Sequence, residues 1–388
     1  MRKRKAKGGR RKAEGGRRSR RAALLPTAFC LLLTAFYLLP SHAQKETTGL
    51  HRWGAVTLFH GLPSDQVRAV AQGGDGVMWF GTDAGLARYD GRRIQTVTGE
   101  GLAGRRFLAL RFDRGGALWA GTDDGAFVRA ADSNSFVAVK GTKGKQVTAV
   151  AAGEPGRALL ATADGVVFDG RREGAGGAPS AEALGAGLTT ATGKAQPLAL
   201  TSVARVGDSV LVGTRGRGLM TIGAEGEAKE VTGRPRAFFV RAIEHGEGGS
   251  VAFGAETSAS DGGVFLAEGG KLARPSKLAG ATGNVTALAF APGGELYAGT
   301  DGRGVFRYRA GQLVEHFTFS GTAGGLRSDS VNAVFVDREG VVWFGTTRGV
   351  CRYDPRGVRA EQLSNETEGN FVRSLYRTRS SSGRTSVT

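Results

Sequence analysis

The sequence predicts an all-β fold, a seven-bladed β-propeller of four-stranded antiparallel blades preceded by a signal peptide. Three observations carry that prediction. A strand signature of apolar, polar, small, apolar residues occurs seven times, a small residue and threonine follow it at a nearly fixed distance, and 64 of the 388 residues are glycine. Glycine at that level without a collagen period signals many tight turns and few long helices. No window after residue 44 carries a sustained helical stripe.

The first-strand signature reads Val67-Arg68-Ala69-Val70, Phe107-Leu108-Ala109-Leu110, Val147-Thr148-Ala149-Val150, Leu200-Thr201-Ser202-Val203, Val240-Arg241-Ala242-Ile243, Val285-Thr286-Ala287-Leu288 and Val331-Asn332-Ala333-Val334, with the polar second position relaxed to Leu in one copy. Twelve residues after each small residue, eleven in the fourth copy, stands the end of a second strand: Gly81, Gly121, Ala161, Gly213, Gly254, Gly299 and Gly345. Thr follows in all but the fifth copy, where Ala255 stands. A turn pair lies between the two strands each time, from Asp75-Gly76 to Glu339-Gly340, as expected of a hairpin. Successive second-strand ends are 40, 40, 52, 41, 45 and 46 residues apart. A period of this size with about four strands per unit indicates propeller blades.

The apolar first strand suits an innermost position covered on both faces by neighbouring blades, and its small third residue suits the crowded centre of a ring. Fourth strands are fainter and more polar, visible at 94–98, 136–139 and 314–319. Residues 53–59 resemble a fourth strand placed before the first copy, so the ring can close by adding them to the seventh blade and hiding two sheet edges. Residues 358–363 are a competing outer strand for that blade, and the sequence does not choose between the two. The 52-residue spacing comes from 170–196, rich in Gly, Ala and Thr and without aromatics, which reads as a flexible outer-rim loop with no strand pattern.

The N-terminus decides the compartment. Residues 1–21 hold twelve Lys or Arg and one acid, and 22–43 hold no charged residue. The apolar run at 22–39 and the Ser41-His42-Ala43 exit predict a secretory signal cleaved after Ala43, with an uncleaved membrane anchor as the alternative. The domain reading is therefore 1–43 leader, 44–363 propeller and 364–388 tail. The chain is +18 overall, but without the leader 41 basic and 34 acidic residues remain, a net of +7 scattered through the repeats. That distribution excludes a clustered nucleic-acid surface. Only Cys351 follows the leader, so the exported chain can form no intrachain disulfide and its core must hold it.

The combination of Gly61-Leu62-Pro63-Ser64, then Trp79-Phe80-Gly81-Thr82-Asp83 with Gly85-Leu86, then Arg88-Tyr89-Asp90 resembles the two-component regulator propeller repeat. Copy seven repeats it as Gly325-Leu326-Arg327-Ser328, Trp343-Phe344-Gly345-Thr346 and Arg352-Tyr353-Asp354. Copy two keeps Leu118-Trp119-Ala120-Gly121-Thr122-Asp123, while Leu159, Leu211, Ala252 and Tyr297 stand at the Trp position of the middle copies. The resemblance covers residues 53–354. It implies an exported sensory propeller of a membrane-bound signalling protein, often followed by an immunoglobulin-like module, a membrane helix and a kinase. Residues 371–376 read as an eighth first strand, after which 377–388 hold one apolar residue and no turn chemistry leading to a strand, so a truncated eighth copy or a solvated tail is expected. Signalling would then need a partner, such as a membrane histidine kinase, or a missing half.

In a propeller, the loops joining second to third strands and those leading into each first strand share one face at the channel mouth. That face gathers Asp65, Asp83, Asp123, Asp124, Asp164, Asp301 and Asp329 with Arg215, Arg217, Arg303 and Arg348. Asp next to Gly holds tight turns by side-chain to backbone bonds, whereas Arg gives a turn no such benefit. The ligand-binding set expected here is Arg215, Arg217, Arg303 and Arg348, with Asp83, Asp123 and Asp301. A ring of Asp and Arg suits a polar small molecule or glycan fragment. Trp79, Trp119 and Trp343 are expected in the inter-blade core. The scattered histidines have no metal-ligand spacing and no catalytic set recurs, so neither a cofactor nor a metal is expected. The reading is a non-catalytic ligand-recognition propeller. A polysaccharide lyase or hydrolase and a protein-interaction scaffold are the alternatives.

Overall fold

The structure, a computed structural model, describes residues 52–357 except 175–176, 186, 190–195, 224–225, 232–238, 257–261, 270–271, 273 and 282, together with 377–379 and 385–387. The leader, His51, the competing strand at 358–363 and the eighth first strand at 371–376 lie outside the described residues. Seven four-stranded antiparallel sheets follow one another. Their innermost strands are Val67–Gln72, Phe107–Phe112, Val147–Ala152, Leu200–Val206, Phe239–His245, Val285–Phe290 and Val331–Val336, in blades 1 to 7. Each packs against the next, and the seventh packs against the first, which closes the ring. Blade 7 takes its outer strand from the other end of the chain: Trp53–Val56 pairs with Gly349–Tyr353, in register from Trp53 opposite Tyr353 to Val56 opposite Val350.

Every innermost strand carries a bulge at the same place, between the first and third residues of the signature. The polar second residue is the extra one, and a bulge re-aims such a side chain. In four blades it latches onto the next blade by donating to the carbonyl of that blade's first signature residue. Thr148 donates to Leu200 O at 2.7 Å, Thr201 to Val240 O, Thr286 to Val331 O, and Asn332 Nδ2 to Val67 O at 3.0 Å across the closure. The polar letter of the signature is therefore an inter-blade connection.

Glycine at the end of the second strand has an equally specific reason. These positions are not in the left-handed region; there is simply no room for a side chain. A Cβ at Gly121 would lie 2.8 Å from Val147, at Gly254 2.6 Å from Val285, and at Gly299 2.8 Å from Val331, the first signature residue of the next blade each time. The hairpin glycines are different, since Gly76, Gly116, Gly156 and Gly340 adopt φ between +71° and +83°.

Trp119 and Trp343 are buried between blades, and each indole N–H donates to an aspartate six residues earlier, Asp113 at 3.0 Å and Asp337 at 2.7 Å. Asp113 also accepts the amides of Gly115 and Ala117, so one carboxylate holds the hairpin and the Trp together. Blade 1 lacks this device. Gly73 stands at the aspartate position, the hairpin amide of Val77 is held by Asp75 instead, and the buried Trp79 N–H has no acceptor. A buried donor without a partner costs about 1–3 kcal/mol. A Cβ at Gly73 would collide with the Asp75 carboxylate, so the aspartate must be moved, not added. The double variant Gly73→Asp/Asp75→Gly is expected to raise stability by about 1 kcal/mol, read as a higher urea midpoint at unchanged slope.

The outer rim corrects one expectation. Within 170–196, Ser180–Ala183 is the fourth strand of blade 3, paired with Val167–Arg171. Its Ser-Ala-Glu-Ala sequence shows no apolar alternation because the rim covers neither face, and backbone bonds to Lys140 of blade 2 hold its start. The short rim strands Ala228–Glu230 and Ser276–Lys277 are missing from the sequence pattern for the same reason. In the tail, Arg377–Arg379 and Thr385–Val387 form a two-stranded ladder where no strand was expected. Backbone pairing needs no apolar side chains.

Candidate functional site

The loop-side mouth of the channel is built from the bulge residues and the loops after each second strand. The lumen they enclose is small, about 140 Å³, well below the 300–1,000 Å³ usual for a small-molecule pocket. It has room for one functional group, with any larger ligand resting on the mouth.

Six of the seven bulge residues have a local explanation. Thr148, Thr201, Thr286 and Asn332 are latches, and Leu108 is apolar. Arg68 makes a two-pronged ion pair with Asp83, Nε to Oδ1 at 2.8 Å and Nη2 to Oδ2 at 2.9 Å, and Arg106 adds a 3.4 Å contact to the same carboxylate. The Arg68 hydrogen bond holds the Asp83 carboxyl below the usual carboxylate range. Arg241 is the exception. Its Nε is buried with no hydrogen-bond partner, and its guanidinium lies 4.5 Å from the centroid of the Phe239 ring. Arg215 stacks on the same ring at 4.9 Å. Burial lowers the Arg241 pKa; Glu256 opposes that shift and Arg215 adds to it. An arginine remains charged under such pressure, so two guanidiniums share one aromatic ring and one of them is under-satisfied.

The remaining expected residues scatter. Arg217 turns away to the rim, bonding Glu230 at 2.8 Å. Asp123 accepts the amide of Arg106 at 3.3 Å, a loop-to-loop role, and Asp301 accepts the Ser330 hydroxyl at 2.8 Å while contributing to the field at Arg241. Arg348 is exposed on its loop. Arg303 is also exposed, and its carbonyl contacts His316. Of the expected set, Arg215 and Asp301 are thus the two in the electrostatic neighbourhood of Arg241. Arg241 was missed because it belongs to a strand signature that elsewhere is architectural, and Phe239 because it precedes that signature at the start of the same strand. The available signal was Arg at a position held by Thr or Asn in four other copies.

Among the described residues no group of three or more His, Cys, Asp or Glu could hold a metal ion. Cys351 is fully buried, and burial pushes its thiol up to about 12, which removes it as a nucleophile.

A family profile described as the two component regulator propeller matches residues 61–84 and 325–348, the first and seventh copies of the motif. This chain carries two-component regulator propeller repeats. Among solved structures it is similar to the extracellular domain assigned to a hybrid two component system of B. thetaiotaomicron, with 20% identity over 78% of this chain and a TM-score of 0.61. The chain spans 40% of that domain's length. It is also similar to virginiamycin B lyase from Staphylococcus aureus, at 10% identity over 78% of this chain and 98% of the lyase with a TM-score of 0.60. The WD40 propeller of Doa1 gives 15% identity over 81% of this chain and 96% of that domain, with a TM-score of 0.56. At these identities the likeness is one of fold, and it joins sensor, lyase and WD40 propellers alike. No curated protein matches the chain.

Proposed function

We propose that this regulator-type propeller is the exported sensory part of a two-component-type signalling system, non-catalytic, and that it recognises a polar ligand carrying an acidic group. A glycan fragment bearing a carboxylate is the simplest such ligand. Export is supported by the basic and apolar leader of the sequence and by the extracellular setting of the similar sensor domain. The observation that carries the ligand chemistry is Arg241, a buried, unpaired guanidinium donor beside Arg215 on a shared aromatic ring. A carboxylate entering the lumen would satisfy it with charge-assisted bonds, and the Phe239 edge would border the sugar. Transmission to a kinase partner would follow from contacts elsewhere on the ring.

The repeats themselves supply the test. Arg241→Thr places at this position the residue that latches blades 3, 4 and 6, with the Val285 carbonyl as its expected acceptor. The variant should therefore fold at least as stably as the parent, gaining about 1 kcal/mol from the latch, while its affinity for trigalacturonate falls at least about tenfold. Retained affinity in a well-folded Arg241→Thr protein would overturn the site. Release of shortened or unsaturated sugar from the same ligand would favour the lyase reading instead.

A further inference from the structure

The channel has a second mouth, on the side of the hairpins between first and second strands, and it opens into a cavity of about 620 Å³. This is within the size range of a small-molecule site, unlike the 140 Å³ lumen. Counted from the first signature residue, the fifth position of the innermost strand borders it in four blades, through Arg111, Ala151, Ala204 and Glu244. In blades 1, 3, 4 and 6 that residue is alanine, Ala71, Ala151, Ala204 and Ala289, and in blade 7 it is Phe335. In blades 2 and 5 it is Arg111 and Glu244, and these two meet across the channel at 3.3 Å. Both charged exceptions to the alanine rule thus find each other, and neither is needed to build a blade.

The pair lines both the lumen and the cavity, so it forms a bar between the two mouths. Around it the cavity is balanced in formal charge, with Arg111, Arg114, Arg157 and Arg205 against Asp113, Glu154, Asp169 and Glu244, but its acids are engaged. Asp113 is taken up by Trp119 and two hairpin amides, and Glu154 lies 3.9 Å from Arg157. The buried Asp169 is already held by Arg157 at 2.5 Å and Arg171 at 2.9 Å. Glu244 is committed to Arg111, and burial pushes its carboxyl above the usual range against that arginine's pull. Arg114 and Arg205 make no side-chain hydrogen bond or ion pair among the described residues. A concave site whose acids already have partners while two guanidiniums have none favours anions, and one acidic group of a ligand can replace Glu244 on Arg111.

We infer that the hairpin-side cavity is a second binding site, for a small polyanion with two or more acidic groups, in which Arg111 exchanges Glu244 for the ligand. Arg114 and Arg205 hold the ligand's other acidic groups. The site lies at the opposite mouth from Arg241 and stands whether or not that mouth binds a glycan.

Citrate titrated calorimetrically into the full chain tests this, with acetate as the single-charge control. A saturable citrate site with no saturable acetate heat is expected. Arg111→Gln should weaken citrate at least about tenfold, and Glu244→Gln, which removes the internal competitor, should tighten it several-fold. Arg92→Gln, on an exposed turn of blade 1, should leave it unchanged, and circular dichroism would establish that each variant is folded. No saturable citrate binding, or a folded Glu244→Gln variant whose affinity is unchanged or weaker, would overturn the inference. A merely structural ion pair gives that second result.

Discussion

Replacing Gly345 with valine should break the ring at its closure. A Cβ there would lie 2.9 Å from Val67 Cγ1 and 3.2 Å from the Cβ of Ala333, and both neighbours are buried in paired strands. Overpacking of this kind costs about 1–3 kcal/mol for a small increment. Gly345→Ala should fall in that range, and Gly345→Val, with two further carbons in the same space, should exceed it. The loss concentrates at the contact between blades 7 and 1, where the Asn332 latch to the Val67 carbonyl would be pulled out of reach as well. Urea unfolding would measure it. Gly153→Ala, whose Cβ meets nothing within 4 Å, should shift stability by no more than about 0.5 kcal/mol. Equal effects from the two substitutions would mean that the second-strand glycines are kept for something other than blade spacing.

Trp53→Ala should be nearly as damaging at the outer edge of the same closure. The indole packs against Tyr353 at 4.8 Å, Phe317 at 5.4 Å and Phe344 at 5.9 Å between centroids, and Gly325 leaves the space it occupies. It anchors a four-residue strand that has no neighbour on its other side, so local connectivity cannot compensate for its loss. Truncating a large aromatic in a core costs about 3–5 kcal/mol; Trp53 is half-buried, which puts it near 3 kcal/mol. The blade 7 edge should also open, with Gly349–Tyr353 amides exchanging with solvent faster than the equivalent strand of blade 1. Phe59, 96% exposed just beyond the same strand, is the control, and Phe59→Ala should change neither stability nor exchange.

Seven blades were legible in the sequence because each depends on buried residues confined to a single structural role, whereas the closing strand was one of two candidates until its pairing with Gly349–Tyr353 decided it. Val67 and its equivalents fill the ring, Gly345 and its equivalents admit the next blade, and Trp119 and Trp343 pack between sheets. What was not legible lies where those constraints relax. Ser180–Ala183 sits at the rim, where backbone bonds define a strand and side chains need not alternate. The bulges are matters of register, and sequence spacing alone does not reveal that Thr148, Thr201, Thr286 and Asn332 reach a carbonyl of the next blade. The site was partly legible. Arg215 and Asp301 lie near Arg241, but a loop arginine does not announce its direction, and Arg217 went to Glu230. Arg241, Arg111 and Glu244 were concealed inside strands, and only the ring order makes them stand out from their counterparts in the other blades.

On the proposed reading, Arg241 and Arg215 select an acidic group at the loop-side mouth. Titrating the full chain with trigalacturonate and with its neutral counterpart, trigalactose, tests it most directly. The arrangement of two guanidiniums on Phe239 predicts a preference for the acid of at least about tenfold, worth about 1.4 kcal/mol, that shrinks as salt is raised. Equal affinity for the two sugars, or a preference for the neutral one, would contradict it.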